Sequence, residues 1–119
     1  MVVTNETKDD VKANVIQTIS DEFQDIVLGT GSSTPSVGDT SLDSQVFQDD
    51  RQSTGTYTDR IIISGFVNSG TGNSNTFKEM GFVDSTGTLQ SRNLIEPVEK
   101  TSSKELWIDE EIKANITQS

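Results

Sequence analysis

Residues 105–117 read Glu105-Leu106-Trp107-Ile108-Asp109-Glu110-Glu111-Ile112-Lys113-Ala114-Asn115-Ile116-Thr117. Leu106, Ile108, Ile112, Ala114 and Ile116 share one parity. Glu105, Trp107, Asp109, Glu111, Lys113 and Asn115 share the other. A period of two describes a β-strand with one buried and one wet face. Glu110 interrupts the apolar row, and Trp107 interrupts the polar one. One-sided strands belong to antiparallel sheets, whose neighbouring strands are joined by hairpins.

They lie upstream. Tyr57–Val67 reads as a strand around Ile61-Ile62-Ile63, and Asn68–Asn75 as a turn carrying Gly70 and Gly72. Thr76–Asp84 is the next strand. Asp84-Ser85-Thr86-Gly87 is a hairpin turn with glycine where a positive φ is expected. Thr88–Ile95 returns and ends before Pro97, and Lys100–Ser103 is a loop. Nearer the N-terminus, Ile26-Val27-Leu28 is a short buried strand stopped by Gly29-Thr30-Gly31. Residues 31–41 are rich in serine, glycine and proline and read as a loop. Leu42–Phe47 is either a helical turn or a strand start, and 49–55 a polar connection. Before these strands the period changes. Val11, Val15 and Ile19 recur at spacing four, with Ile16 and Phe23 beside them, which predicts a helix near 8–21. Thr7-Lys8-Asp9-Asp10 fits its capping pattern, and the two aspartates suit the positive end of its dipole. The expectation is one domain over 1–119, mainly β. It is an antiparallel, sandwich-like body over about 23–117 with one N-terminal helix.

Composition narrows the function. The chain has 119 residues, of which 30% are apolar, with 15 serines and 15 threonines. The core is therefore thin, and a thin core with flat strands finds further burial in a partner subunit. The net charge is −10, −7 over residues 1–55 and −3 over 56–119. Nucleic acid and anionic membrane surfaces are poor partners for such a chain. No apolar run approaches the ~20 residues of a spanning helix, and the N-terminus lacks a signal-peptide pattern. There is no histidine and no cysteine, which excludes Ser-His-Asp and Cys-His catalysis, disulfides and the usual zinc sites.

The remaining motifs read as structure. Gly29-Thr30-Gly31-Ser32-Ser33-Thr34 lacks the lysine of a phosphate-binding loop, and Pro35 blocks the helix a dinucleotide loop would open. Asp84-Ser85-Thr86-Gly87 has one residue too many for the aspartic-protease signature and no second copy to share a proton. Asp9-Asp10, Asp49-Asp50 and Asp109-Glu110-Glu111 lack the cleft of a glycosidase and the alternating spacing of a calcium loop. Asp49-Asp50 retains only the option of a surface cation. Asn5-Glu6-Thr7 and Asn115-Ile116-Thr117 match the glycosylation triplet, which arises often by chance. No cofactor or metal is expected.

The order of the pieces resembles the small N-terminal β-domain of tailed-virus tail-fibre (collar-type) proteins, and related small virion proteins of tailed phages and haloarchaeal tailed viruses. Three stretches carry the resemblance. Ile26-Val27-Leu28-Gly29-Thr30-Gly31, then Pro35 and Asp39-Thr40-Ser41-Leu42, is similar to the family's strand, Gly-Thr-Gly, proline and Asp-Thr-apolar. Phe77-Lys78-Glu79-Met80-Gly81-Phe82-Val83-Asp84 is similar to its Ile-x-Glu-x-Gly-Leu-Phe-Asp, with Gly87-Thr88-Leu89 closing the hairpin. Glu96-Pro97-Val98-Glu99-Lys100-Thr101-Ser102, followed by Leu106, is similar to its proline, Lys-Thr and long last strand. The family also places a glutamate and an arginine together after the Asp-Thr-Leu stretch, where this chain has Asp43-Ser44-Gln45-Val46 and, further on, Arg51. A shaft and receptor-binding tip like those of a tail fibre are not expected here, so host-receptor binding is not carried over.

What the resemblance implies is a non-enzymatic module that docks onto a virus particle at the tail, baseplate or capsid surface. Its partners would be other copies of itself, as a trimer, pentamer or hexamer, and other virion proteins. It would be assembled in the host cytoplasm, and the acidic balance would suit a halophilic host. Candidate interface residues are Trp107, Tyr57, Glu79 and Lys100. For Trp107 the choice lies between a covering loop of its own subunit and a neighbour, and the reading favours the neighbour. The alternative function is a carbohydrate-binding or adhesion module, which needs several aromatic side chains on one exposed face. A small hydrolase is disfavoured by the missing histidine and cysteine.

Overall fold

The computed structural model describes residues 4–114. They form a helix, α1 (Asn5–Glu22), and the strands β1 (Asp25–Gly29), β2 (Gln45–Asp50), β3 (Ser53–Thr56), β4 (Arg60–Val67), β5 (Asn75–Val83), β6 (Leu89–Lys100) and β7 (Leu106–Lys113). The strands build two antiparallel sheets, ordered β2-β1-β5-β6 and β3-β4-β7. The fold is mainly β with one helix, as the periodicity predicts.

One core fills the space between the sheets. The cross-strand pairs Ile26–Phe82 and Leu28–Met80 face inward from the four-stranded sheet. Ile61, Ile63 and Val67 face them from β4, where burial alternates residue by residue. Leu106, Ile108 and Ile112 of β7 pack on the same core, and Ala114 is buried just beyond the strand. Each fully enclosed Ile, Leu or Phe contributes about 1.5–3 kcal/mol. A smaller cluster lies on the other face of the four-stranded sheet, where Leu42 and Leu89 cover Val27 and Val83. Leu42 belongs to the connection 30–44, which crosses that face. Residues 115–117, the end of the expected last strand, lie outside the described residues, and so does the second glycosylation triplet.

Three sequence expectations are corrected. The helix starts earlier: Thr4 is its cap and its hydroxyl accepts from the Thr7 N–H. Asp9 and Asp10 therefore sit in the second turn, and Glu6 is the acid of the first. Ile16 alone is buried on the helix, while Val11 and Val15 are exposed. Second, the polar connection 49–55 is largely strand. β2 runs to Asp50 against β1, and β3 pairs Ser53–Thr56 with Ile61–Ser64. Both are outer strands of their sheets, and from Gln48 onward their mostly exposed, polar side chains show no apolar alternation. Between them Arg51 donates to the carbonyls of Ser20 and Phe23, tying the helix end to the sheets. Third, Pro97 does not end its strand. β6 continues to Lys100 because it is an edge strand, where proline removes no ladder bond. Ile95, Glu96 and Pro97 stand opposite Lys78 alone, so the proline sits in a bulge.

The turns agree with the sequence. Gly87 has φ +85°, and Asp84 accepts from the Thr86 N–H, the Thr86 hydroxyl and the Thr88 N–H. Those bonds, with the Thr86 hydroxyl first, hold the Asp84 carboxyl below the usual range. The carboxylate is the turn's fastener.

Candidate functional site

Two constellations stand out, one buried and one open. The buried one begins at Glu79. β5 carries it on the face that the 30–44 connection covers, and it is 0% exposed. Its Oε2 accepts from the N–H groups of Gly31 and Ser44 at 2.8 and 3.0 Å. Its Oε1 accepts from the Asp43 N–H at 2.9 Å and from Arg92 Nε at 3.0 Å. Arg92, from β6, also donates to Asp39, Asp43 and the Ser33 carbonyl. Burial pushes the Glu79 pKa up, but the Asp43 and Ser44 N–H groups, Arg92 and the Gly31 N–H outweigh it, and the carboxyl stays below its ordinary range. Asp43 is also held low, first by Ser33 and more weakly by Arg92.

This cluster explains the glycines of the quoted motifs. A Cβ on Gly31 would lie 2.6 Å from Glu79 Oε2 and collide with Asp43 Cβ. A Cβ on Gly81 would strike the Ser91 carbonyl and approach Leu42 Cδ2 at 3.4 Å. The loop closes on the carboxylate only if both positions lack a side chain. Gly29-Thr30-Gly31, Asp39, Leu42, Glu79 and Gly81 therefore converge on one loop lock. Beside it lies a depression of about 380 Å³, lined by Pro35, Val37 and Leu89 among others. The Arg92 side chain is 3% exposed and committed to its own loop, so it presents no cation there.

The open constellation is the outer face of the β3-β4-β7 sheet. Trp107 is 64% exposed, and no loop covers it. It pairs with Phe66 across β4 and β7, with ring centroids 4.5 Å apart. Tyr57, 54% exposed, lies towards the other end of β4, with the Arg60 guanidinium 5.4 Å from its ring centroid. Between the two aromatic ends runs a polar strip. The Ser64 hydroxyl donates to Asp109 at 2.6 Å, and Glu111 lies 3.8 Å from Arg60 and 3.5 Å from Lys113. Spread aromatic anchors around charged pairs make a docking face in outline. A serine on a carboxylate with no imidazole between them is no activated nucleophile.

The four candidate interface residues therefore divide. Trp107 and Tyr57 share one exposed face. Glu79 and Lys100 are removed from it: both are 0% exposed inside their own subunit, so no partner reaches them. Lys100 Nζ donates to Asn73 Oδ1 at 2.7 Å and to the Thr101 carbonyl at 2.9 Å, which pins the 68–74 turn. Sequence reasoning missed Phe66, Arg60 and Arg92. Phe66 was signalled by its parity, opposite to Ile61, Ile63 and Val67. Arg92 had no local signal, because its partners are distant in sequence. At β2, Asp50 faces Asp25 across the ladder, and the hydrogen bond and charge of Asp25 push its pKa up. Among the described residues no three carboxylates converge as a metal site would require, and no helix is long and apolar enough to cross a membrane. Compared with known proteins, the chain matches no family model and no curated sequence.

Proposed function

We propose that this protein is a non-enzymatic structural component of a tailed virus particle, a module that assembles with copies of itself and docks on the tail, baseplate or capsid surface. One observation carries the reading: Trp107 stands on Phe66 on an open sheet face, uncovered by its own subunit. A large exposed aromatic pair on a flat sheet is a typical anchor for a protein partner. The motifs behind the tail-fibre resemblance support it further, since they build the lock that rigidifies the opposite sheet. A rigid body with one open aromatic face suits a part that repeats around a symmetry axis.

The test has two arms. Light scattering of the full chain, in low and molar salt, is expected to give a closed oligomer that Trp107→Ala dissociates. The adjoining genes are expected to encode portal, tail-tube and baseplate proteins. A monomer at tens of micromolar in both salts, or neighbours that process glycans, overturns the proposal.

The second reading is a carbohydrate-binding module, favoured by one observation: Tyr57 and Trp107 share that open face. Trp107 is the only tryptophan, so its emission reports binding directly. Saturable change with an oligosaccharide, without oligomerisation, would select this reading.

A further inference from the structure

Helix α1 is poorly buried for its length. Of its 18 residues only Ile16 is buried, and Ile19 packs on the core's margin. Most helical stability in proteins comes from packing an apolar face. Here Val11 and Val15 remain 44% and 42% exposed. With Asn14, Thr18 and Ile19 they line a shallow groove of about 290 Å³.

The pattern around Val15 says what fits it. At 3.6 residues per turn, Lys8, Val15 and Glu22 fall within about 20° of one line along the helix. Val11 and Ile19 flank that line about 40° to either side. The stripe is symmetric in shape about Val15 and opposite in charge at its ends. A two-fold axis through Val15 sets Val11 against Ile19 of a second copy and Lys8 against its Glu22. A parallel pairing would oppose lysine to lysine and glutamate to glutamate. Both charges are available: ion pairs among the described residues use only Arg60, Arg92 and Lys113 as cations. Antiparallel macrodipoles add to the attraction.

We infer that α1 is a self-docking element, pairing antiparallel with α1 of a second copy about a two-fold axis at Val15. A self-complementary patch is what a two-fold contact requires. The pairing does not use Trp107 and does not rest on the virion assignment. Two such helices bury less than the ~1,600 Å² of a standard interface, so the contact alone is weak and is best trapped covalently.

The chain has no cysteine, which makes single-cysteine variants of the full protein clean probes. Facing helices 8–10 Å apart bring on-axis residues within disulfide reach. Under mild oxidation Val15→Cys is expected to form a disulfide dimer. Lys8→Cys mixed with Glu22→Cys is expected to cross-link far more than either alone. Without cross-linking, Lys8→Glu or Glu22→Lys should weaken dimerisation about tenfold, and the double reversal should restore it. Val15→Cys should still dimerise in the Trp107→Ala background, which separates this contact from the sheet face. The inference is overturned if Val15→Cys stays monomeric with an unchanged circular dichroism spectrum. It is overturned equally if Lys8→Cys cross-links to itself as readily as to Glu22→Cys, or if Trp107→Ala abolishes the Val15→Cys dimer.

Discussion

Glu79→Gln tests the loop lock with almost no change of volume. Glutamine keeps one side-chain oxygen and replaces the other with an NH2 donor. In the native protein each carboxylate oxygen serves two donors, Gly31 and Ser44 N–H on one, Asp43 N–H and Arg92 Nε on the other. Either orientation of the amide therefore leaves two buried donors facing a third. An unsatisfied buried donor costs about 1–3 kcal/mol, and breaking a buried ion pair on one side costs about 3–5 kcal/mol. The two figures describe overlapping losses, so the expected destabilisation is about 3–5 kcal/mol. A domain of this size holds about 5–15 kcal/mol in all, and its Tm should fall by ~10–20 °C. Urea unfolding at pH 7 measures the free energy. Hydrogen exchange locates it: the amides of Gly31, Asp43 and Ser44 should lose protection before those of β4. The lock also predicts a pH signature. A carboxyl whose pKa is lowered by folding stabilises the fold above its unfolded pKa of ~4.3, and that contribution disappears as pH falls through the lower, folded value. Glu79→Gln should lack this acid limb. A loss under ~1 kcal/mol with the native acid limb retained would refute the assignment of Glu79 as the fastener of the loop.

Other predictions address the surface and the charge. Trp107→Ala should cost about 2 kcal/mol or more of association, against about 0.5–1.5 kcal/mol of the subunit's own stability for the lost pairing with Phe66. Sedimentation and a dilute thermal melt on the same variant measure both. Glu110 occupies the inward parity of β7, and burial pushes its pKa up against the opposing hydrogen bond from Asn93. A raised carboxyl destabilises the fold at pH 7, and that penalty is relieved, so that stability rises, as pH falls through the folded pKa towards the unfolded value of ~4.3. Glu110→Gln should raise the Tm at pH 7 and flatten that rise. The net charge of −10 means self-repulsion that salt screens over ~10 Å at 0.1 M. Tm should therefore climb from low to molar salt, and a flat profile would remove self-repulsion as a factor.

The strand-rich fold was legible because its central features are local. Ile61, Ile63 and Val67 on β4, and Leu106, Ile108 and Ile112 on β7, announce a buried face through a period of two, which the chain carries wherever it folds. Gly87 announces its turn because few residues tolerate positive φ. The exposure of Trp107 was half legible: parity placed it outward, but whether a loop covered it depended on where 30–44 and 68–74 ran. Those paths are set by contacts across tens of residues. Glu79 and Lys100 looked like surface charges because nothing adjacent to them supplies a counter-charge. Arg92 supplies the counter-charge to Glu79, and the neutral Asn73 amide an acceptor to Lys100, only after β5 and β6 pair. β3 and the second half of β2 were missed for the converse reason: outer strands with polar side chains are held by backbone ladders, and backbone hydrogen bonds leave no mark in side-chain pattern, whereas Val46 and Phe47 already admitted a strand start. The helix shows both sides at once. Its stripe of Val11, Val15 and Ile19 is plain in the sequence, but only the docking of Ile16 and Arg51 decided which side meets the core and which is left open.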